Sequence, residues 1–458
     1  MIRILVFLMI FSSVCLGQQS DLDYLIKKVK ADYPAYAEKT RNFDFDLFVN
    51  KVLVKNGSDT FKAMSTIVDF FRDGHLLLFR TKDPLDTFKC AQNLKAVKTY
   101  LNSNRRKKKY EGYWINESKH VVIGIKQISD NPIKLKGYVI ECRDSNVIIP
   151  GFEYYDFEKE GNKRYFTKAS SSLSRNTFYV HSDFRNDSVM TAGPYNKWKR
   201  MNDYKSPILQ SLEEKIDTTT GKWLDSTTYL ITIPSSTIRN GKLLDSIIKS
   251  NPAITEKLNN LIIDIRNNTG GTVRAYSALL PLMYTNPILP VTVSAYCTDD
   301  AAQNTRKQIQ EYVKQSDFDS AGFNQWTNWL SQQEANIGKF IDFPPDTLVL
   351  DSVLRYPKNI GVIINYGCQS AAEMVILNAK QSKKVTLFGE HTQGTIDYLD
   401  IAPQDLPSGK YQLYIPASKR QIPKGGKKLD GIGIYPDVSI SDSEVDWVGF
   451  VKQYYEKH

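Results

Sequence analysis

A chain of 458 residues is too long for one compact core, so two or three domains are expected. Its 41% apolar and 24% charged content is ordinary for a soluble globular protein. The formal charge of +10 is moderately basic, but the chain carries no recognisable nucleic-acid module, so no nucleic-acid partner is expected. The densest cluster, Arg105-Arg106-Lys107-Lys108-Lys109, reads as a solvated turn between domains.

The N-terminus bears on the compartment. Met1-Ile2-Arg3 is a short positive start, Ile4 to Ile10 is apolar, and Ser12-Ser13-Val14-Cys15-Leu16-Gly17 offers small residues. This pattern predicts a secretory signal peptide over 1–17, cleaved near Gly17. Its apolar run is short for a membrane span, and no other segment suits one, so no stable membrane insertion is expected. Cys15 is where a lipoprotein anchor would attach, although Val14 before it is bulky for that cleavage. The mature protein is expected to be exported, periplasmic or extracellular. An oxidising compartment permits a disulfide among Cys90, Cys142, Cys297 and Cys368, and Cys90–Cys142 is the pair to test. No Cys/His grouping has ligand spacing, so neither a metal nor a cofactor is implied.

Residues 18–93 read as a helical segment, with apolar residues at helical spacing from Phe61 to Phe71. It ends in Asp73-Gly74-His75, a turn leading into the apolar run Leu76 to Phe79. Over 94–205 aromatic and β-branched residues alternate with polar ones, as in Val121-Val122-Ile123-Gly124-Ile125, with turns such as Asp130-Asn131-Pro132 between runs. That predicts a separate small antiparallel β domain, a barrel or sandwich. From 206 to 458 the pattern becomes strand–helix–strand: Thr228 to Ser235, a helix over Leu243 to Leu258, Leu261 to Ile265, a helix over Ala275 to Tyr284. Such repetition predicts an α/β core with a mixed, largely parallel sheet and right-handed crossovers. A polar, Trp-containing stretch at about 299–340 reads as a helical insertion.

The core is organised around Lys358 to Gly394. Ile360 to Asn365 is a buried parallel strand by its β-branched content, and Ala371 to Leu377 is helical. Ser370 lies at their junction, where free N–H groups and the helix dipole favour developing negative charge. Such a serine is a nucleophile or simply an N-cap, and local pattern alone leaves both open. A second strand, Val385 to Phe388, ends in Gly389-Glu390-His391-Thr392-Gln393-Gly394.

The order strand, Ser370-Ala371-Ala372-Glu373, helix, strand, Gly-Glu-x-Thr-x-Gly resembles the tail-specific (C-terminal processing) serine peptidases, including the tricorn core protease. Leu261 to Gly271, a strand ending in Arg266-Asn267-Asn268-Thr269-Gly270-Gly271, fits the same family, where this turn supplies an oxyanion-hole N–H. The resemblance implies a ClpP/crotonase-like core acting on polypeptide substrates. It implies Ser370 as nucleophile, His75 as base, and Gly270, Gly271 and Ala371 as oxyanion donors. Asp430, in Asp430-Gly431-Ile432-Gly433-Ile434-Tyr435-Pro436-Asp437, matches the acid that orients the base, although Asp-Gly is also an ordinary turn. The family's other branch uses a Ser-Lys dyad, but Thr395 occupies the lysine position here and cannot act as a base. His391 is a rival base, and Lys380, Lys383 and Lys384 read as solvated. Cys368 could be mistaken for the nucleophile, and Glu373 reads as a tie between helix and sheet. The function implied is hydrolysis of unfolded or C-terminally exposed chains. The alternative is an inactive secreted binding homologue of the same fold. An esterase reading lacks its Gly-x-Ser-x-Gly elbow.

Overall fold

A computed structural model describes residues 21–457 except 57–58, 81–86, 104–105, 117–120, 143–147, 171–176, 185–186, 193–195, 202–203, 205–217, 314–319, 344–346, 424, 442–443 and 445. The signal-peptide and Cys15 expectations fall outside the described residues. Among the described residues, no helix is long and apolar enough to cross a membrane.

The core sheet has six strands in the order Thr220–Trp223, Thr228–Thr232, Asn260–Asp264, Asn359–Ile364, Val385–Gly389 and Val438–Ser439. The first pairs antiparallel with its neighbour, and all the other pairings are parallel. The central strands are β-branched because both faces are covered. One face packs Ile231, Ile263, Val362 and Leu387 under the crossover elements. The other packs Leu230, Ile262, Ile363 and Phe388 against the helix Trp447–Lys457. The predicted crossover helix over 243–258 is two pieces, Ile238–Ser250 and Ala253–Glu256, because Pro252 removes a helical donor. The one predicted over 275–284 starts as a 3-10 turn, Val273–Leu279, and continues as Leu280–Met283.

The β-rich region closes into a barrel. Eight strands run from Gly112–Asn116 to Asn196–Arg200, each pairing antiparallel with the next, and the last returns to the first. Its interior is filled by Trp114, Phe157, Phe184, Tyr155 and Trp198, so it is a packed core. Two expectations are corrected here. The helix Thr87–Asn102 crosses the expected boundary at 94, because Val97 and Leu101 pack on the barrel wall beside Val122 and Ile140. The barrel is also continuous with the rest of the chain rather than separate. The strand Leu77–Arg80 pairs with Thr177–Phe184 on one side and with Tyr411–Arg420 on the other.

Tyr411–Arg420 and the strand Tyr398–Asp405 form a hairpin of this large sheet. The N-terminal helices bury Leu25, Met64, Ile67 and Phe71 against its Tyr398, Leu413 and Ile415. That packing sets the Asp73-Gly74-His75 turn against the hairpin. The insertion is a helical pair, Asp299–Tyr312 and Ser320–Ala335, flanked by the sheet-end strands Val293–Tyr296 and Phe340–Asp342. It leans on the N-terminal segment through Lys28 and Asp300, 2.5 Å apart. Cys90, Cys142, Cys297 and Cys368 are all thiols, so the Cys90–Cys142 pairing is not made. Cys142 Sγ instead donates to the Ile148 carbonyl at 2.7 Å.

Candidate active site

Ser370 caps the helix Ala371–Ala379 with φ 52° and ψ −120°. An ordinary N-cap is extended with negative φ, and a non-glycine residue here costs about 1–3 kcal/mol. The surroundings impose this conformation. Glu373 is fully buried, and its Oε2 accepts the N–H of Ser370 at 3.1 Å and of Thr395 at 2.8 Å. Its Oε1 accepts the Thr392 hydroxyl at 2.5 Å and the Gly394 N–H at 2.8 Å. Glu373 thus ties the helix to the 389–395 turn. Burial raises its pKa, and these hydrogen bonds oppose the rise.

The neighbouring turn is clipped on from the other side. Asn267, at φ 64°, exchanges hydrogen bonds with Asn365: its N–H reaches Oδ1 at 2.8 Å, and Asn365 Nδ2 donates back to its Oδ1 at 2.9 Å. Gln369 N–H donates to the Asn268 carbonyl at 3.0 Å. Gly270, at φ +95°, then lies so close that an added Cβ would stand 2.9 Å from Ser370 Cβ and 3.1 Å from Ala371 N. The structure therefore brings Gly270, Gly271, Ser370 and Ala371 together. Gly270 differs from expectation in one respect: its N–H donates to Asn268 Oδ1 at 3.0 Å. The N–H groups of Gly271 and Ala371 have no acceptor among the described residues.

His75 is buried, and its Nδ1 lies 2.5 Å from the Tyr398 carbonyl. A carbonyl only accepts, so Nδ1 carries the proton and Nε2 keeps its lone pair. Burial pushes the His75 pKa down, which keeps the ring neutral and able to take a proton. Among the described residues no hydrogen bond joins His75 to Ser370. The two are linked through Glu373, Thr395 and the short run to Tyr398.

The expectation for Asp430 needs correction. It makes no hydrogen bond to His75. Its Oδ1 accepts the N–H groups of Ile396 at 2.9 Å and Asp397 at 2.7 Å. Burial, with the Asp73 charge nearby, pushes its pKa up to about 7. The sequence reading missed three partners of this region. They are the Tyr398 carbonyl, the Asp397–Arg420 pair at 2.5 Å, and Asp73, whose Oδ1 accepts the His75 N–H at 2.8 Å.

The rivals are otherwise engaged. His391 Nδ1 lies 2.8 Å from the Thr392 carbonyl, and its ring stacks on Tyr435. Lys380 pairs with Asp437 at 3.0 Å, and Lys384 Nζ donates to the Leu354 carbonyl. Thr395 is buried, with its hydroxyl 3.2 Å from Gln393 Oε1. Cys368 is buried, donates to the Ile265 carbonyl at 3.1 Å, and has its pKa pushed up to about 12 by burial, so it is no thiolate nucleophile. Among the described residues no group of His, Cys, Asp and Glu could hold a metal.

A serine strained at a helix N-terminus beside unpaired backbone donors is an arrangement for attack on a carbonyl. Residues 228–440, a little under half of the chain, match the model of peptidase family S41, and this region is an S41 peptidase domain. The fold is similar to that of mature CPAF, at 13% identity and a TM-score of 0.51, covering 97% of this chain and 96% of that one. Mature CPAF complexed with lactacystin matches at 14% identity and 0.50, covering 97% of each chain. A photosystem II D1 C-terminal processing protease scores lower, 0.40 at 13% identity over 93% of each chain. At these identities the likeness concerns the fold. No curated protein matches the sequence.

Proposed function

We propose that the chain is an exported serine endopeptidase of the tricorn-like branch, with a ClpP/crotonase-like core, that cleaves unfolded or C-terminally exposed polypeptides. Ser370 Oγ attacks the scissile carbonyl carbon while its proton passes to His75 Nε2. The oxyanion is received by the N–H groups of Gly271 and Ala371, with Gly270 shaping the hole. Such a donor is typically worth about 10²–10³ in turnover. His75 then protonates the leaving amine as the C–N bond breaks, and water hydrolyses the resulting ester by the same route. The Ser370 backbone at φ 52° carries this reading, since a mere cap has no use for the strain.

The test is casein hydrolysis by the mature chain beside Ser370→Ala and His75→Ala. Ser370→Ala is expected to lose more than about 10⁴-fold in turnover, and His75→Ala a comparable amount, with circular dichroism unchanged. Activity surviving in His75→Ala alone would move the base elsewhere. A wild type that turns over no unfolded substrate would favour a binding homologue. Sequencing the secreted protein checks export: a start near Gln18 supports it, and a retained Met1 overturns it.

A further inference from the structure

We infer that Asp73, rather than Asp430, is the acid that positions His75 and supports the imidazolium formed when its ring takes a proton. The inference deepens the peptidase reading and rests on it for the kinetic half of its test. Asp73 opens the turn that carries His75 and is 4% exposed. Both of its oxygens are held: Oδ1 accepts the His75 N–H at 2.8 Å, and Oδ2 accepts the Tyr33 hydroxyl at 2.7 Å. Lys39 Nζ, which donates to the Phe71 carbonyl at 2.7 Å, stands 3.9 Å from the same Oδ2. Tyr398 takes the only N–H of the neutral ring. An acid therefore acts on His75 through the turn it fixes and through its charge, not by a bond to the ring.

The charged groups around His75 sort themselves on that criterion. Asp73 acts on it from the same turn, and Asp400 acts from the hairpin, at an exposed position where the Ser418 hydroxyl donates to it. Asp397 is neutralised by Arg420, and Asp430 is spent on two backbone N–H groups. Lys39 faces Asp73, Asp397 and Asp430 together, between the rings of Tyr33 and Tyr398. Burial makes protonation of His75 unfavourable, and Asp73 is the first group to oppose it.

The test is a histidine-selective ¹³C NMR titration of the full chain, with His75→Gln to assign the resonance, followed by kcat and KM against pH. Asp73→Asn keeps an acceptor for the His75 N–H and removes the charge. The His75 midpoint should move to lower pH, and kcat should fall by about ten- to a hundredfold, part of what a positioned base supplies, with KM little changed. Lys39→Met keeps Asp73, strips the cation facing it, and should move the midpoint up. A merely structural role would not give opposite shifts. Asp430→Asn should move the midpoint less than Asp73→Asn does. A shift in Asp430→Asn equal to or larger than that in Asp73→Asn overturns the assignment, as does an unmoved midpoint in Asp73→Asn. The titration reads His75 in a chain that cleaves nothing, so loss of the peptidase reading is told apart from loss of this one.

Discussion

Glu373 accepts four hydrogen bonds, and three of its donors are backbone N–H groups that have no other role to play. A glutamine there presents one accepting oxygen and one NH₂ group, so at least one N–H must face a donor. An unsatisfied buried donor costs about 1–3 kcal/mol. Glu373→Gln should therefore lower the denaturant midpoint and, because Ser370 hangs from this clamp, lower kcat as well. Unchanged stability and rate together would show that the clamp does not hold Ser370. These residues were legible in sequence because Ser370, Ala371 and Glu373 are neighbours and the Gly270-Gly271 turn ends a recognisable strand. The partner of His75 was not legible. It is a main-chain carbonyl 323 positions away, and a carbonyl looks the same in every residue. Asp73 was hidden differently, since Asp-Gly before a strand reads as a turn and nothing more.

Alternation of aromatic and polar residues revealed the barrel strands, yet not the closure, because which strand meets which is a long-range choice. The same limit hid His181, which on sequence is one histidine in a strand. In the fold its Nδ1 meets Asp69 at the end of the helix Thr60–Asp69, and its Nε2 lies 3.1 Å from Glu160, which also pairs with Lys55. The barrel is thereby fastened to the helical segment. Burial disfavours the imidazolium, but hydrogen bonds to Asp69 and Glu160 outweigh it and hold the His181 pKa above its ordinary value of 6.5. The hydrogen bond from His181 pulls Glu160 down from 4.5 to about 2. The His181 contribution is full below 6.5 and lost as pH rises through the raised folded value. The Glu160 contribution is full above 4.5 and lost as pH falls towards 2. The fastening is therefore strongest between 4.5 and 6.5. His181→Asn should lower the melting temperature more at pH 5.5 than at pH 9. An equal loss at both would mean that packing against Phe166, 5.4 Å away, is all the ring supplies.

The proposed nucleophile and base belong to different cores. Ser370 stands on the α/β sheet, whose buried cluster runs through Ile231, Ile263 and Val362. His75 stands on a turn whose position depends on the cluster of Leu25, Met64, Phe71 and Leu413. Separate clusters open with separate free energies, so the site can fail while the catalytic sheet stays folded. Phe71 is the place to separate them. It is 2% exposed, lies 5.0 Å from Tyr33 and 5.4 Å from Phe45, and precedes Asp73 by two residues. Truncation to alanine leaves a cavity costing about 3–5 kcal/mol. Phe71→Ala should lose turnover at temperatures where the wild type keeps it. Hydrogen exchange should then show amides of 60–80 opening while those of Ile263 and Val362 keep wild-type protection. If protection falls everywhere at once, the molecule is one cooperative unit, and the site is lost only when the whole fold is.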